Sequence, residues 1–146
     1  MKTIRLLLAL GILFSCFAIQ QTTWANTAIE PAPRLTHYWK NRDDLGWMER
    51  HGKILVEIQK NPVDLVFIGD SITHGFENPK SGNTVWERDF AKWNPVNMGF
   101  GGDKTEHVLW RIDHGALDGI SPRVAVVMIG TNNWSVNKPA EIAEGV

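Results

Sequence analysis

Residues 63–73 have the sequence Val-Asp-Leu-Val-Phe-Ile-Gly-Asp-Ser-Ile-Thr, an apolar run that ends in glycine, aspartate and serine. Residues 63–68 contain one polar side chain, and such short β-branched runs are typical of strands buried on both faces of a parallel sheet. Gly69 ends the strand. The pattern therefore predicts that Ser71 lies in the loop at the carboxyl end of a buried strand.

Two further apolar runs repeat this arrangement downstream. Residues 96–98 are followed by Gly99, and residues 124–129 are followed by Gly130. Helical patterns flank the three predicted strands, at about residues 44–60, 84–93, 107–116 and from Pro139 onward. This alternation predicts a protein of the α/β class, a flavodoxin-like three-layer α/β/α sandwich around a parallel sheet.

The helical patterns also predict local packing. Trp86 and Phe90 are expected to face inward from the second helix, and Thr105 is expected to cap the third. The buried face of the first helix is expected to contain Leu45, Met48, Ile54, Leu55 and Ile58.

Ligands of open parallel sheets bind at the carboxyl ends of the strands, so three loops are candidate sites: residues 69–73, 99–105 and 130–133. A serine hydroxyl such as that of Ser71 is a weak nucleophile, and it needs a base and an anion-stabilising pocket to attack an ester. The alternative is that Ser71 only caps a helix. Thr73 stands where the G-x-S-x-G nucleophile turn has its second glycine, so the loop is not of that type.

The other two loops offer hydrogen-bond donors. In residues 97–102, Asn-Met-Gly-Phe-Gly-Gly, the closely spaced glycines allow a backbone N–H to approach a substrate, although a tight turn would use them equally. Asp103 stands where a phosphate-binding loop has its last glycine, which disfavours nucleotide binding. Asn132 can donate to an oxyanion without changing protonation, or it can belong to an ordinary asparagine turn.

Three sequence blocks together resemble the SGNH (GDSL-like) hydrolase family. They are Gly-Asp-Ser-Ile-Thr at 69–73, Asn-Met-Gly-Phe-Gly-Gly-Asp-Lys-Thr-Glu-His-Val-Leu-Trp-Arg-Ile at 97–112, and Gly-Thr-Asn-Asn at 130–133. Within that family the sequence is most similar to bacterial esterases related to the catalytic subunits of platelet-activating factor acetylhydrolase IB. The resemblance covers nearly all of residues 44–146 and implies the SGNH hydrolase fold.

The resemblance also implies roles for individual residues. Ser71 would be the nucleophile and the first oxyanion donor, Gly102 the second donor and Asn132 the third, while Asp70 would shape the turn. The implied reaction cleaves small acyl esters, acetyl esters first, of carbohydrates or lipids through an acyl-enzyme, with no metal or cofactor. The partner is then a small-molecule ester. The alternative is a non-catalytic module that binds a carbohydrate or lipid in the same pocket.

The family's fourth landmark, Asp-x-x-His, does not occur in the sequence. This motif supplies the acid and the base that activate the serine. Aspartate precedes none of the histidines by three residues: His37, His51, His74, His107 and His114. We expect residues 44–146 to be the N-terminal part of an SGNH domain, missing its C-terminal strands and helices, and the chain to be close to inactive. An alternative is that His74, three residues after Ser71, replaces the base.

The N-terminus has the pattern of an export signal. Lys2 and Arg5 precede residues 6–19, fourteen residues without a charge. That length suits a signal-peptide core and is short of the ~20 residues that span a bilayer. Residues 23–25, Thr-Trp-Ala, place small side chains at the −3 and −1 positions of a cleavage site. Residues 1–25 are therefore expected to be a signal peptide.

Export implies a periplasmic or secreted protein. Residues 26–43, polar and proline-containing at their start, are expected to form a leader before the domain, with no stable membrane span after cleavage. Leu-Phe-Ser-Cys at residues 13–16 loosely resembles a lipobox, so a lipoprotein anchored through Cys16 is a minor alternative; Phe14 is bulky for that pattern.

Composition sets further limits. The 146 residues are 43% hydrophobic and 21% charged, which is typical of one globular domain. The formal charge is −1, so no basic surface is available for nucleic acid. Without residues 1–25, 13 basic and 16 acidic residues remain, a net charge of −3. The single cysteine excludes an internal disulfide framework. The oligomeric state stays open.

Overall fold

The computed structural model describes residues 25–34 and 44–146. Residues 1–24 of the predicted signal peptide, with Cys16, and residues 35–43 of the predicted leader lie outside the described residues. In the described part of the chain, no helix combines the length and apolar character needed to cross a membrane.

Helices and strands alternate along the described chain, close to the bounds predicted from the sequence. They are α1 (Asp44–Lys60), β1 (Leu65–Gly69), α2 (Ser71–His74), α3 (Asn83–Val85), β2 (Pro95–Gly99), α4 (Thr105–Arg111), β3 (Val124–Met128) and α5 (Pro139–Gly145). π-Helical turns extend α3 and α4, at Trp86–Phe90 and Ile112–Ala116. Short 3-10 turns occur at Thr27–Ile29, Gly75–Glu77, Ala91–Trp93 and Thr131–Asn133.

The three strands form a parallel sheet in the order β2-β1-β3. Leu65 is in register with Pro95 on one side and Val124 on the other, and Gly69 is in register with Gly99. The strands therefore end at one edge of the sheet. The predicted α/β class with a parallel sheet is confirmed, and the three candidate loops leave from the same edge.

Helices pack against both faces of the central strand β1, which confirms the predicted layers, while β3 stays exposed. Alternate residues of β1 point to opposite faces. Val66 and Ile68 belong to a buried cluster with residues of α1 and α4. On the other face Phe67 packs against Trp86 and Phe90, with ring centroids 5.1 and 4.9 Å away. The inward orientation predicted for these two aromatic rings is thus confirmed.

Two local predictions are wrong. Met48 is 49% exposed, because the buried face of α1 consists of Trp47, Ile54 and Ile58 rather than Met48. Thr105 does not cap α4, because Lys104 occupies the cap position and Thr105 is the first helical residue. In both cases the helix is present, and the buried residue or the cap is the residue directly before the one predicted.

Part of the predicted leader is folded against the domain. Residues 26–34 contain the turn Thr27–Ile29, where the Asn26 side chain accepts a hydrogen bond from the Ala28 N–H. The Ala28 side chain is fully buried. These contacts hold the start of the described chain against α4 and α5.

Strand β3 is apolar yet exposed. Among the described residues it pairs only with β1, so it is an edge strand of the sheet. Val124, Val126, Val127 and Met128 are 40–54% exposed. An open, apolar edge strand offers unpaired backbone groups to other chains, and it is a template for association.

We predict that the 146-residue chain self-associates and that Val126→Lys increases its monomer fraction, because a lysine on an edge strand opposes pairing. The measurement is sedimentation velocity over a concentration series. Val56→Lys, at a similarly exposed position of α1, is the matched control and should leave association unchanged. A monodisperse, cooperatively melting wild-type chain at every concentration would contradict the prediction.

Candidate active site

Asp70 builds the turn between β1 and α2. Its side chain is buried, and Oδ1 accepts a hydrogen bond of 2.9 Å from the Ile72 N–H, which caps the helix. The turn-shaping role expected for Asp70 is confirmed, and the alternative in which Ser71 is the cap is wrong. Ser71 is the first residue of α2, is exposed, and has no side-chain hydrogen-bond partner among the described residues. Its hydroxyl is thus available at the end of the strand.

Residues at the end of β2 hold α2 in place. The Asn97 side chain donates to the Thr73 carbonyl at 3.0 Å and accepts from the Gly99 N–H at 2.9 Å. A Cβ on Gly99 would lie only 2.2 Å from the backbone nitrogen of His74, so this approach requires glycine. The second sequence block therefore supports the helix that starts at Ser71.

Asp103 anchors the loop that follows β2. It is fully buried, and Oδ1 accepts a 2.7 Å hydrogen bond from Trp47 Nε1. Oδ2 accepts from Arg111 Nε and Nη2 at 3.1 and 2.9 Å, and the Arg111 guanidinium lies 3.9 Å from the Phe100 ring centroid. Asp103, the residue that disfavours a phosphate-binding loop, is thus the buried residue that holds the adjacent Gly102 in place.

Charge pairing keeps Asp103 ionised at neutral pH. Burial raises the pKa of the Asp103 carboxyl to about 6, while the Arg111 charge and the hydrogen bonds from Trp47 and Arg111 act in the lowering direction. Burial also lowers the pKa of Arg111, against the opposite effect of Asp103. At pH 7 we therefore treat the two side chains as a buried ion pair.

Asn132 connects the first two loops. Its Nδ2 donates to the backbone carbonyl of Asp103 at 2.7 Å and lies 3.5 Å from Asp70 Oδ2. Asp70 precedes Ser71 in the chain, and Asp103 follows Gly102. The amide of Asn132 thus lies between the neighbours of the two other predicted site residues, and the three loops meet at the edge of the sheet.

Asn133, which the sequence analysis did not single out, has a different task. It is fully buried; its Oδ1 accepts from the Thr105 N–H at 3.0 Å, and its Nδ2 donates to Glu106 and Asn137, each at 3.0 Å. These bonds fasten the third loop to α4. Residue type and local pattern do not separate this structural asparagine from Asn132, which is half-buried; only the family resemblance singled out Asn132.

Comparison with known proteins identifies the family. A family model described as GDSL-like Lipase/Acylhydrolase matches residues 67–145, more than half of the chain. The chain belongs to this family. The resemblance stated from its three sequence blocks is therefore confirmed, and the family is one of carboxylic ester hydrolases.

Curated relatives within the GDSL-like acylhydrolases include subunits of one enzyme. Platelet-activating factor acetylhydrolase IB subunit alpha2 of Homo sapiens is 36% identical over 100 residues, covering 68% of this chain and 42% of that protein. Subunit alpha1 of Mus musculus is 35% identical over 105 residues, covering 72% and 44%. The chain thus spans less than half the length of these relatives. Among solved structures, the SGNH-hydrolase esterase AlinE4 is 26% identical with a TM-score of 0.45, covering 58% of this chain and 49% of that one.

The described histidines of this GDSL-like chain have other partners than Ser71. His74 Nε2 lies 3.7 Å from a carboxylate oxygen of Glu77. His107 is buried, and its Nδ1 accepts a hydrogen bond of 3.1 Å from the Lys104 N–H. Burial, with nearby cations, lowers the pKa of His107 to about 4, so its ring is neutral at pH 7. His107 is thus a buried, neutral side chain that packs within the fold.

Two cavities open beside the acylhydrolase loops. A cavity of about 360 Å³ is lined by Ser71, Ile72, Gly75, Phe76, Ser81 and Gly82. A larger one, of about 590 Å³, lies between residues 27–34 and the second loop, and Gly102 is part of its wall. Among the described residues, no group of three or more side chains is arranged to hold a metal ion.

We predict that Asp103→Asn lowers the free energy of unfolding by about 3 kcal/mol, because it leaves the buried Arg111 charge without its counterion. The double variant Asp103→Leu/Arg111→Met should lower the free energy of unfolding by less, because it leaves no unpaired charge. Urea unfolding followed by circular dichroism measures both. Asp89→Asn, which breaks an exposed pair with Arg88, is the control and should have no effect. Equal losses in the single and double variants would refute the argument.

We also predict a pH dependence that comes from His107. Its pKa is lower in the folded than in the unfolded chain, so the unfolded chain binds more protons between about pH 6.5 and 4. Across that window acidification should destabilise wild type, relative to His107→Asn, by up to roughly 3 kcal/mol. The raised pKa of Asp103 acts in the opposite direction in both proteins, so the comparison isolates His107. Parallel stability curves for the two proteins would contradict this assignment.

Proposed function

We propose that this site cleaves small acyl esters with Ser71 as the nucleophile. The observation that carries the proposal is the position of the Asn132 amide, within hydrogen-bond distance of the Asp103 carbonyl and beside the Asp70 carboxylate. That position supports a site composed of a hydroxyl, a backbone N–H at a glycine and a carboxamide. These are the groups that acyl transfer requires for attack and for oxyanion stabilisation.

In the proposed reaction, Ser71 Oγ attacks the ester carbonyl carbon and its proton passes to a base. The negative charge on the former carbonyl oxygen is stabilised by hydrogen bonds donated from the backbone N–H groups of Ser71 and Gly102 and from Asn132 Nδ2. At Asn132 the oxyanion takes the place of the 3.5 Å contact with Asp70 Oδ2. Collapse of the tetrahedral intermediate breaks the ester C–O bond, the leaving oxygen takes the proton back from the base, and the alcohol departs, which leaves an acyl-serine. Water then attacks the acyl group and releases the acid.

Because the sequence contains no Asp-x-x-His, we propose that the reaction is slow. Removal of a triad base lowers turnover by roughly 10⁶-fold, while an oxyanion hole and binding alone retain roughly 10³–10⁴ over water. We therefore propose that the chain as printed reacts slowly through Ser71. A small base supplied from solution should accelerate it, because the serine is exposed.

The proposed substrate is an acetyl ester of a carbohydrate or lipid. The acetylhydrolase relatives point to acetate, and the cavity at Ser71, about 360 Å³ with Ile72 and Phe76 in its wall, suits a short acyl group. Trp134, two residues after Asn132, is 78% exposed. A flat indole at this position favours a sugar as the alcohol, and it also supports the second candidate, a non-catalytic carbohydrate-binding module.

Labelling with a fluorophosphonate in the presence of imidazole tests the proposal. We predict that labelling is located at Ser71, disappears in Ser71→Ala and slows by roughly 10²–10³ in Asn132→Ala, the usual effect of losing one oxyanion donor. Ser81→Ala is the matched control, because Ser81 lines the same cavity but donates its hydroxyl to the Gly75 carbonyl at 2.9 Å. A folded chain that binds acetylated sugar but stays unlabelled would favour the binding module.

A further inference from the structure

Residues 26–34, which we call the N-terminal segment, reach the site from outside the sheet. The buried Ala28 fixes one end of it, and the Asn137 side chain donates to Thr27 Oγ1 at 3.0 Å. Nearer the site, the Ala32 N–H donates to the Glu106 carbonyl at 3.1 Å. The segment is thus held against α4, and its last described residue, Arg34, lies beside the glycines of the second loop.

Arg34 contacts the peptide group that contains the proposed second oxyanion donor. Its Nη1 donates a hydrogen bond to the Gly101 carbonyl oxygen. The guanidinium also covers Gly102, where a Cβ would lie 3.1 Å from Nη2. Gly102 has a φ of +84°, so side chains are disfavoured there on conformational grounds as well. The Gly101 carbonyl and the Gly102 N–H belong to one planar peptide group, so a bond to the oxygen fixes the direction of the N–H.

This contact has a consequence for the donor strength of that N–H. A hydrogen bond from a cation to a carbonyl oxygen is stronger than a neutral one, and it polarises the peptide to which the oxygen belongs. We propose that Arg34 is a positioning residue that orients and polarises the Gly102 N–H of the oxyanion hole. The inference rests on the proposed function and deepens it, since it gives the N-terminal segment a part in the same site.

The electrostatics around the loop agree with the geometry. The charges of Lys104, Arg34 and Arg111 each act to lower the pKa of His107, alongside the larger effect of burial. Arg34 also acts to lower the pKa of Asp103. Arg34 therefore contributes positive potential to this loop, against the opposite and larger effect of Glu106 on the His107 ring.

The test compares Arg34→Met, Arg34→Lys and the control Arg88→Met in the full chain. Arg88 is exposed and pairs with its neighbour Asp89. Two readouts are needed: the ¹⁵N shift of Gly102, recorded where the chain is monomeric, and the Ser71-dependent hydrolysis of p-nitrophenyl acetate with added imidazole. The backbone nitrogen shift responds to hydrogen bonding at the preceding carbonyl, which a purely structural contact elsewhere would not alter.

In Arg34→Met we expect an upfield ¹⁵N shift at Gly102 and a fall in kcat of roughly tenfold with little change in KM, smaller than the effect of removing a hole donor outright. Arg34→Lys should recover part of both changes, and Arg88→Met should change neither. An unaltered Gly102 resonance and kcat in a folded Arg34→Met chain would overturn the proposal, as would a loss of thermal stability with both unaltered.

The experiment separates failure of the proposed function from failure of the proposal about Arg34. Hydrolysis by the wild-type chain that equals hydrolysis by Ser71→Ala would remove the catalytic interpretation. The Gly102 shift would still decide whether Arg34 orients that peptide: a shift confined to the Arg34 variants supports the positioning contact, and its absence overturns it.

Discussion

The buried carboxylate of Asp103 is the point at which the elements around the site are joined. Its oxygens accept hydrogen bonds from Trp47 on α1 and from Arg111 on α4, while its backbone carbonyl accepts from Asn132 in the third loop. A buried charge is costly without its partners, so conformations that separate these elements are disfavoured. The side chain of one residue thus fixes the second loop to two helices, and its main chain fixes the third loop to the second.

The order of the strands explains why the loop of the proposed nucleophile lies between the loops of the two other proposed donors. β1 is the central strand of β2-β1-β3, and the three strands end in register. The loop after the central strand contains Ser71, and the loops after its two neighbours contain Gly102 and Asn132. Because parallel strands need right-handed crossovers, the intervening helices occupy the faces and leave this edge open.

The sequence predicted the elements well because strands and helices follow local patterns. The apolar runs ending in Gly69, Gly99 and Gly130 located all three strands to within two residues. The sequence could not predict that Asp103 is the buried residue that joins the elements around the site. Asp103 was notable only as a departure from a phosphate-binding loop, since its bond to Trp47 joins residues 56 positions apart. No local pattern contains such a contact.

The three loops share one arrangement of adjacent residues. A fully buried, hydrogen-bonded side chain is adjacent in sequence to the group proposed to act on substrate: Asp70 to Ser71, Asp103 to Gly102, and Asn133 to Asn132. The buried member uses its polar atoms in contacts within the fold, and its neighbour is less buried. Asn132 and Asn133 show why residue type alone is insufficient. The two side chains are chemically identical, yet Asn133 is fully buried, with its oxygen and nitrogen engaged by Thr105 and Glu106. Asn132 is half-buried, and its nitrogen contacts the Asp103 carbonyl and the Asp70 carboxylate.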